Sequence, residues 1–471
     1  MGHSAFLYIV KVSGSKKTRF LISSLKCFIL ITAIVCSATK AADAQTTDTL
    51  NSTQSLTLKQ CIDYALQNQP ALRQSLINKS IAKTNNAINI SGWLPQVGVT
   101  GTFVHYIQLP TTFVTNAADT TGTRIAQRTG IVNTFIPSLT ASEELFSPSL
   151  LYAATSAHLF VKQAEQIIDS TKINIVSSVS KSFYNLLLTL QQIDVLKEDT
   201  VRLYKNYMDA YHQYVGGIVD ETDYEEAAIT LNNSKAQLRQ ASENVIPQYA
   251  FLKQLMGYPP QTQFNVVYDT TEMVNDIAID TTQQLQYEKR IEYQQLMTAK
   301  KIQHKIINYN RLSFLPSLNL YYNYNYEFES NTLPTLFNNA YPYSLVGLAI
   351  NLPIFTGLSR MENLHKAKLQ AQILDWSEVS LKSAIYTDYT TALANYNSNL
   401  YNMHQLQDNV AMAKKVYYVV GLQYKQGIVA YLNVITAESN LIASQIGYIN
   451  ALSQVLSSKI DLQKAMGVIT Y

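Results

Sequence analysis

Cysteine is scarce. Of three in the 471-residue chain, Cys27 and Cys36 lie in its first 44 residues, leaving Cys61 without a partner for an internal disulfide. Stability must then come from packing or assembly rather than from a cross-linked framework, and Cys61 reads as a small buried apolar residue. Charge is scarce as well: Asp, Glu, Lys and Arg make up 15%, against about 25% in ordinary soluble proteins. There is no phosphate-cradling Gly-x-x-x-x-Gly-Lys-Ser/Thr, no Gly-x-Ser-x-Gly and no His-Glu-x-x-His, so the commonest catalytic and nucleotide-binding frames are absent. His105, His158, His212, His304, His365 and His404 have no second His or Cys at ligand spacing, which argues against a metal. Glu143-Glu144 is the nearest approach to paired carboxylates, but neighbours on a strand face opposite ways. Beyond residue 44 no stretch approaches 18 consecutive apolar residues, which excludes a transmembrane helix. The chain reads as neither an enzyme nor a cofactor-binding protein.

The nominal basicity is local. Lys16, Lys17 and Arg19 precede the apolar run Phe28–Val35, and Ala42-Asp43-Ala44 is a small-x-small site, the pattern of an export signal covering 1–44. Cleavage before Gln45 removes six basic residues and one acid, turning the formal charge from +3 to −2. Nucleic-acid binding loses its support. Acylation at Cys36 is the alternative processing, disfavoured by the bulky Val35 before it.

What is abundant is Tyr, with 32 copies, a residue that favours membrane interfaces. What organises the chain is repetition. Tyr214-Val-Gly-Gly217-Ile218-Val219 recurs as Tyr424-Lys-Gln-Gly427-Ile428-Val429, and Met256-Gly257 recurs as Met466-Gly467, all at an offset of 210 residues. A shared register over that span predicts a duplicated chain: a first repeat over 45–257, a linker over 258–283, a second repeat over 284–467 and a tail, 468–471. Glycine between two helical patterns marks the end of a helix, so each copy is the bend of a helical hairpin.

Within each repeat the periodicity changes in the same order. Leu58, Cys61, Ile62, Ala65 and Leu66 have helical spacing behind Thr57 as N-cap, and a second helix follows Pro70 to about Ser91. Its counterpart spans roughly Gln284 to Ser313. Both stop at an aromatic-Leu-Pro, Trp93-Leu94-Pro95 and Phe314-Leu315-Pro316. Alternation of period two follows over Val97–Gln108 and, most clearly, Tyr322-Asn-Tyr-Asn-Tyr-Glu-Phe328. Polar segments at about 109–133 and 329–342 separate these from returning strands that end at Phe146 and run over Ser344–Phe355. Half-apolar strands of this length suit either a soluble sheet packed on a core or a transmembrane barrel with lipid and lumen faces. Then come segments nearly free of Pro and Gly, from Ser149 to about His212 and from Leu358 to about Gln423. About 64 residues make a helix of roughly 100 Å, of use only in a coiled coil, bundle or tube.

These features together resemble the outer-membrane efflux proteins of the TolC type over 56–467. The resemblance rests on the Leu56-Thr-Leu opening with Ala65-Leu66-x-x-x-Pro70, the aromatic-Leu-Pro pairs, Leu352-Pro-Ile-Phe-Thr-Gly357, and the duplicated glycine turns with their Met-Gly. It implies a mainly α fold with a membrane β-barrel part. Long helical hairpins would form a periplasmic tunnel in a homotrimer, with four strands per protomer in a shared twelve-stranded barrel in outer-membrane lipid. It also implies a passive export duct, coupled through a periplasmic adaptor to an inner-membrane RND or ABC transporter. Gly217, Ile218, Val219, Gly427, Ile428 and Val429 then form adaptor-docking turns, and Thr222, Asp223, Tyr424 and Asn433 the periplasmic gate. Val429 replaces a gate arginine of the family pattern, while Asn433 and Thr436 replace ring aspartates. Tyr424 and Asp223 lie within about two turns of the tip, where a phenol–carboxylate hydrogen bond is expected. Asp220, Glu221, Glu225 and Glu226 either make the entrance acidic or merely complement the helix dipole. Two alternatives remain: an outer-membrane duct for type I protein secretion, and a non-transporting periplasmic coiled-coil scaffold.

Overall fold

Thr57 opens the first helix. In a computed structural model describing residues 55–115, 124–267, 277–280 and 284–471, its side chain accepts from Gln60 N at 3.3 Å while Gln60 Oε1 accepts from Thr57 N at 2.9 Å. This capping box opens α1 (Leu58–Asn68). Gln69, extended because a proline follows it, separates α1 from α2 (Pro70–Ile90). The segment 1–44, with its cleavage site and Cys36, lies outside the described residues, as does much of the expected linker. All described residues belong to the unit 52–471. Cys61 is fully buried, and burial pushes its thiol up to about 12.

The two aromatic-Leu-Pro stops hold: strands begin immediately after Pro95 and Pro316. Strands β2 (Gln96–His105) and β5 (Asn133–Phe146) come from the first repeat, β7 (Ser317–Ser330) and β8 (Ala340–Asn351) from the second. They form one antiparallel sheet in the order β2-β5-β7-β8. Minor pairs are a parallel clip between β1 (Ser55–Leu56) and β6 (Asn265–Val266), and a hairpin of β3 (Thr111–Thr115) with β4 (Arg124–Arg128).

Four expectations are corrected here. The segment 109–133 is not merely polar loop, because β3 and β4 form within it. The second-repeat helix does not begin at Gln284: a 3-10 turn covers Tyr287–Lys289, and α5 runs Ile291–Leu312. Arg290 delays it. Its backbone is extended, and its buried guanidinium donates to Ala465 O at 3.1 Å and pairs with Glu292 at 3.0 Å. Two strands also end earlier than expected: β2 stops at His105 rather than Gln108, where Nδ1 meets Asn133 Oδ1 at 2.7 Å, and β8 runs Ala340–Asn351 rather than Ser344–Phe355, ending before Pro353.

Four long helices complete the fold. Helix α3 (Pro148–Val215) has 68 residues and α6 (Ser359–Lys425) has 67; α4 (Glu221–Met256) and α7 (Tyr431–Met466), the return arms, have 36 each. At about 1.5 Å per residue the long arms extend roughly 100 Å. No helix among the described residues is long and apolar enough to cross a membrane.

Each return arm ends on a left-handed glycine, Gly257 (φ 68°) or Gly467 (φ 70°). A Cβ on Gly257 would lie 2.7 Å from Asn68 O, and one on Gly467 would lie 2.8 Å from Lys289 O. The end of each hairpin is thereby pressed onto the start of its own repeat. Gly217 (φ 69°) at the opposite end has open space around it. Alanine there meets only the left-handed strain of about 1–2 kcal/mol. Gly257→Ala should cost about 1–3 kcal/mol more from overpacking, a difference that paired denaturation curves will read.

Candidate functional site

The two hairpin bends have the same construction. Gly217 N donates to Tyr214 O and Ile218 N to Gln213 O, both at 2.9 Å; Gly427 N to Tyr424 O and Ile428 N to Gln423 O repeat those values. The left-handed glycines (Gly427 φ 73°) let both helices close with this motif. Ile218 and Ile428 project into solvent, 75% and 65% exposed, and Val219 and Val429 are half-buried. Apolar side chains are therefore presented in pairs at one end of the helices.

Just behind the bends, Ala210 of α3, Ala227 of α4 and Tyr431 and Val434 of α7 form a small buried cluster. Tyr207, Tyr224, Tyr417, Val420, Tyr424 and Ile435 pack on it. Small residues at 210 and 227 let the four helices approach, and tyrosines fill the remaining space. Beside the cluster is a cleft of about 970 Å³ whose lining includes Asp209, His212, Gln213, Asp223, Tyr424 and Lys425.

Tyr424 is held in this cleft by two contacts. Its hydroxyl donates to Gln213 Oε1 at 2.6 Å, and its ring centroid is 5.3 Å from that of Tyr431. The expected bond to Asp223 is replaced by this one, which reaches from α6 to α3 rather than to α4. Asp223 still shapes the site electrostatically. Burial raises the Tyr424 hydroxyl above its usual range, and Asp223 and Asp209 add to the rise while the Gln213 bond opposes it. The hydroxyl is therefore a neutral donor at any physiological pH.

The other expected gate residues are dispersed. Thr222 is exposed in the first turn of α4, and Asp223, half-buried, donates its backbone N–H to Asp220 O at 3.2 Å. Asn433 and Thr436 are exposed on α7, while Val434 beside them points into the cluster. Of the four expected gate residues, Tyr424 and Asp223 share the cleft, whose lining also includes Ile218, Val219, Gly427 and Val429 of the turns. Gln213 escaped the sequence reading, although the dipeptide Gln-Tyr precedes the bend in both repeats (Gln213-Tyr214 and Gln423-Tyr424). That repetition was the available signal.

The sheet at the far end is two-faced. Register places Val99, Leu139 and Tyr324 in one row and Phe103, Phe135 and Phe328 in another, with Tyr322 beside Val346 and Leu320 beside Leu348. The alternate rows carry Gly98, Thr140 and Asn323, then Thr100, Ser138, Asn325 and Tyr343. Most of the apolar rows are open to solvent in the single chain, with Val346 at 72% and Ile350 at 64%. Among the described residues no group of three or more His, Cys, Asp or Glu is placed to hold a metal.

Comparison with known proteins agrees with this architecture. The family model for "Outer membrane efflux protein" matches residues 61–258 and 303–468. The probable efflux pump outer membrane protein TtgC of Pseudomonas putida is 25% identical over 422 residues, covering 87% of this chain and 82% of the relative. The antibiotic efflux pump outer membrane protein ArpC of Pseudomonas putida matches to the same extent. Among solved structures, CusC superposes with a TM-score of 0.71 at 18% identity, covering 87% of this chain and 91% of that one. VceC of Vibrio cholerae superposes at 0.67 with 16% identity, covering 87% and 96%. The fold is that of the solved outer-membrane channel proteins. The chain belongs to the outer membrane efflux protein family, TolC-type, and resides in the bacterial outer membrane.

Proposed function

We propose that three copies of this chain form a passive duct through the outer membrane, each giving four strands to a twelve-stranded barrel and its hairpins to a periplasmic tunnel. The observation that carries this reading is the sheet. Its apolar face is continuous across β2, β5, β7 and β8, and its two edge strands have no partner within the described chain. In hydrocarbon every unpaired backbone group costs several kcal/mol, so β2 and β8 must pair with another chain. Four strands are also too few to close, since small membrane barrels need about eight. Because β2 and β8 run in opposite directions, β8 of one copy continues antiparallel into β2 of the next. The number three follows the family resemblance.

At the other end the gate centres on the Tyr424–Gln213 contact, with Asp223 in the same cleft and Thr222 and Asn433 exposed at its margin. The exposed Ile218 and Ile428, flanked by Gly217, Val219, Gly427 and Val429, dock a periplasmic adaptor that links the duct to an inner-membrane RND or ABC pump. Relatives named for efflux of antibiotics and toluene favour small-molecule cargo over secreted protein. Export is directed by the signal over 1–44, with Gln45 as the mature N-terminus.

The test is reconstitution of the detergent-extracted protein in planar bilayers, together with identification of the inner-membrane transporter that co-purifies with it. Discrete conductance steps and an RND or ABC partner are expected. A water-soluble protein without conductance would overturn the duct reading in favour of a scaffold.

A further inference from the structure

Above the tip, the second hairpin is tied to α3 by a buried charge cluster. Arg202 Nε donates to Glu438 Oε1 at 2.7 Å, and Asn206 Nδ2 donates to Glu438 Oε2 at 2.8 Å. The same guanidinium pairs with Asp199 one turn back on α3 and lies 5.4 Å from the ring centroid of Tyr417 on α6. Asp199 and Glu438 are each only 1% exposed. The cluster thus joins α3, α6 and α7, between one apolar cluster at Ile193, Leu196 and Ala241 and the tip cluster at Ala210 and Tyr431.

Three features separate it from ordinary scaffold. First, the duplication does not repeat it. At the offset of 210, Asn409, Met412 and Val416 stand for Asp199, Arg202 and Asn206, and Ala228 stands for Glu438. A helical hairpin of this design therefore forms without it. Second, its charge is not balanced: two carboxylates face one guanidinium, and Oδ2 of Asp199 has no hydrogen-bond partner. Third, Arg202 and Asn206 line the same cleft as Tyr424, so water reaches one side of the cluster and can take over its bonds on separation.

The apolar clusters on either side tolerate sliding, because the hydrophobic effect is non-directional. Charge-assisted hydrogen bonds do not. Glu438 lies two helical turns beyond Tyr431 on α7, and the Tyr431 ring packs tilted against that of Tyr424. The register fixed at Glu438 therefore sets where both tyrosines sit. We propose that Arg202 is a positioning residue, a releasable clamp that holds α7 against α3 and keeps the Tyr424 contact closed until the second hairpin is drawn away. This rests on the reading of the protein as a gated duct.

The test uses Arg202→Cys with Glu438→Cys in a Cys61→Ser background, bridged by a bis-methanethiosulfonate reagent and released by reduction. Trimer content and circular dichroism serve as controls, and single-channel open probability is the readout. Unbridged, the pair should open at least about ten- to a hundredfold more often than the parent, the equivalent of one charge-assisted hydrogen bond lost in a single copy. Bridging should return it to the parent value and reduction should raise it again, a reversal that a merely structural role would not produce. Glu438→Gln, which keeps the side-chain shape, should raise open probability in the same direction and serves if the cysteine pair fails to assemble. Parental open probability in Glu438→Gln, or a bridged pair that stays as open as the unbridged one, overturns the clamp. A parent protein that never conducts overturns the duct instead.

Discussion

Tyr324→Arg is expected to abolish heat-sensitive trimers in the outer membrane, while Asn323→Arg beside it leaves them intact. The two residues are adjacent on β7 and face opposite sides of the sheet. Tyr324 stands in register with Leu139 and Ser344, and Asn323 with Thr140 and Leu345. Both are near the middle of a 14-residue strand, hence near the bilayer midplane if the sheet spans. Arginine on the lipid face there costs about 2–4 kcal/mol. Three symmetric copies raise this to roughly 6–12 kcal/mol per assembly, comparable to the whole stability of a domain. On the lumen face the same arginine stays hydrated. Gel electrophoresis of heated and unheated outer membranes reads the difference. Equal loss in both variants, or in neither, would contradict the assignment of faces.

Tyr424→Phe is expected to loosen the gate without harming assembly. Phenylalanine keeps the ring against Tyr431 and deletes only the 2.6 Å bond to Gln213. A neutral hydrogen bond contributes about 0.5–1.5 kcal/mol, so three copies bias closure by roughly 1.5–4.5 kcal/mol. The open fraction should rise about ten- to a thousandfold. Gln213→Leu should do the same, and the double variant should do no more, because both remove one interaction. Asp223→Ala should change little, since Tyr424 does not bond to it. The phenol is held above its ordinary range, so it remains a neutral donor below its usual pKa near 10 and the effect should persist from about pH 5 to 9. Single-channel recordings and susceptibility to large antibiotics check these expectations. An open fraction in Tyr424→Phe equal to the parent's would place the closing contact elsewhere.

Much of this fold is legible along the chain because its punctuation is local. Thr57 with Gln60, the prolines at 70, 95 and 316, and the left-handed glycines at 217 and 427 each act within a few residues of themselves. The Tyr322–Phe328 alternation is likewise a property of one strand. What escaped needs partners far away in sequence. Tyr424 is 211 positions from Gln213, and Arg202 is 236 from Glu438; no periodicity announces such pairs, and only the packing of α3 against α6 and α7 brings them together. The hairpin of β3 and β4 was missed for another reason. Its ten paired residues, three Thr, two Arg and one Gln with Phe113, Val114, Ile125 and Ala126, favour strand by type, but each run is only five residues long and shows no period-two alternation to announce it. Arg290 shows a third kind of failure: helical periodicity extends through 284–290, but a buried tertiary contact overrides it.

The central claim is that three chains close one ring through their free sheet edges. Disulfide scanning in intact outer membranes tests it most directly. One cysteine is placed on β2, for example at Thr100, and a second is moved along β8 from Tyr341 to Ile350. At the matching register, bonds should form only between chains, giving a covalent ladder of dimer and trimer that stops at three. A ladder that continues beyond three, or monomer at every register, would contradict the ring.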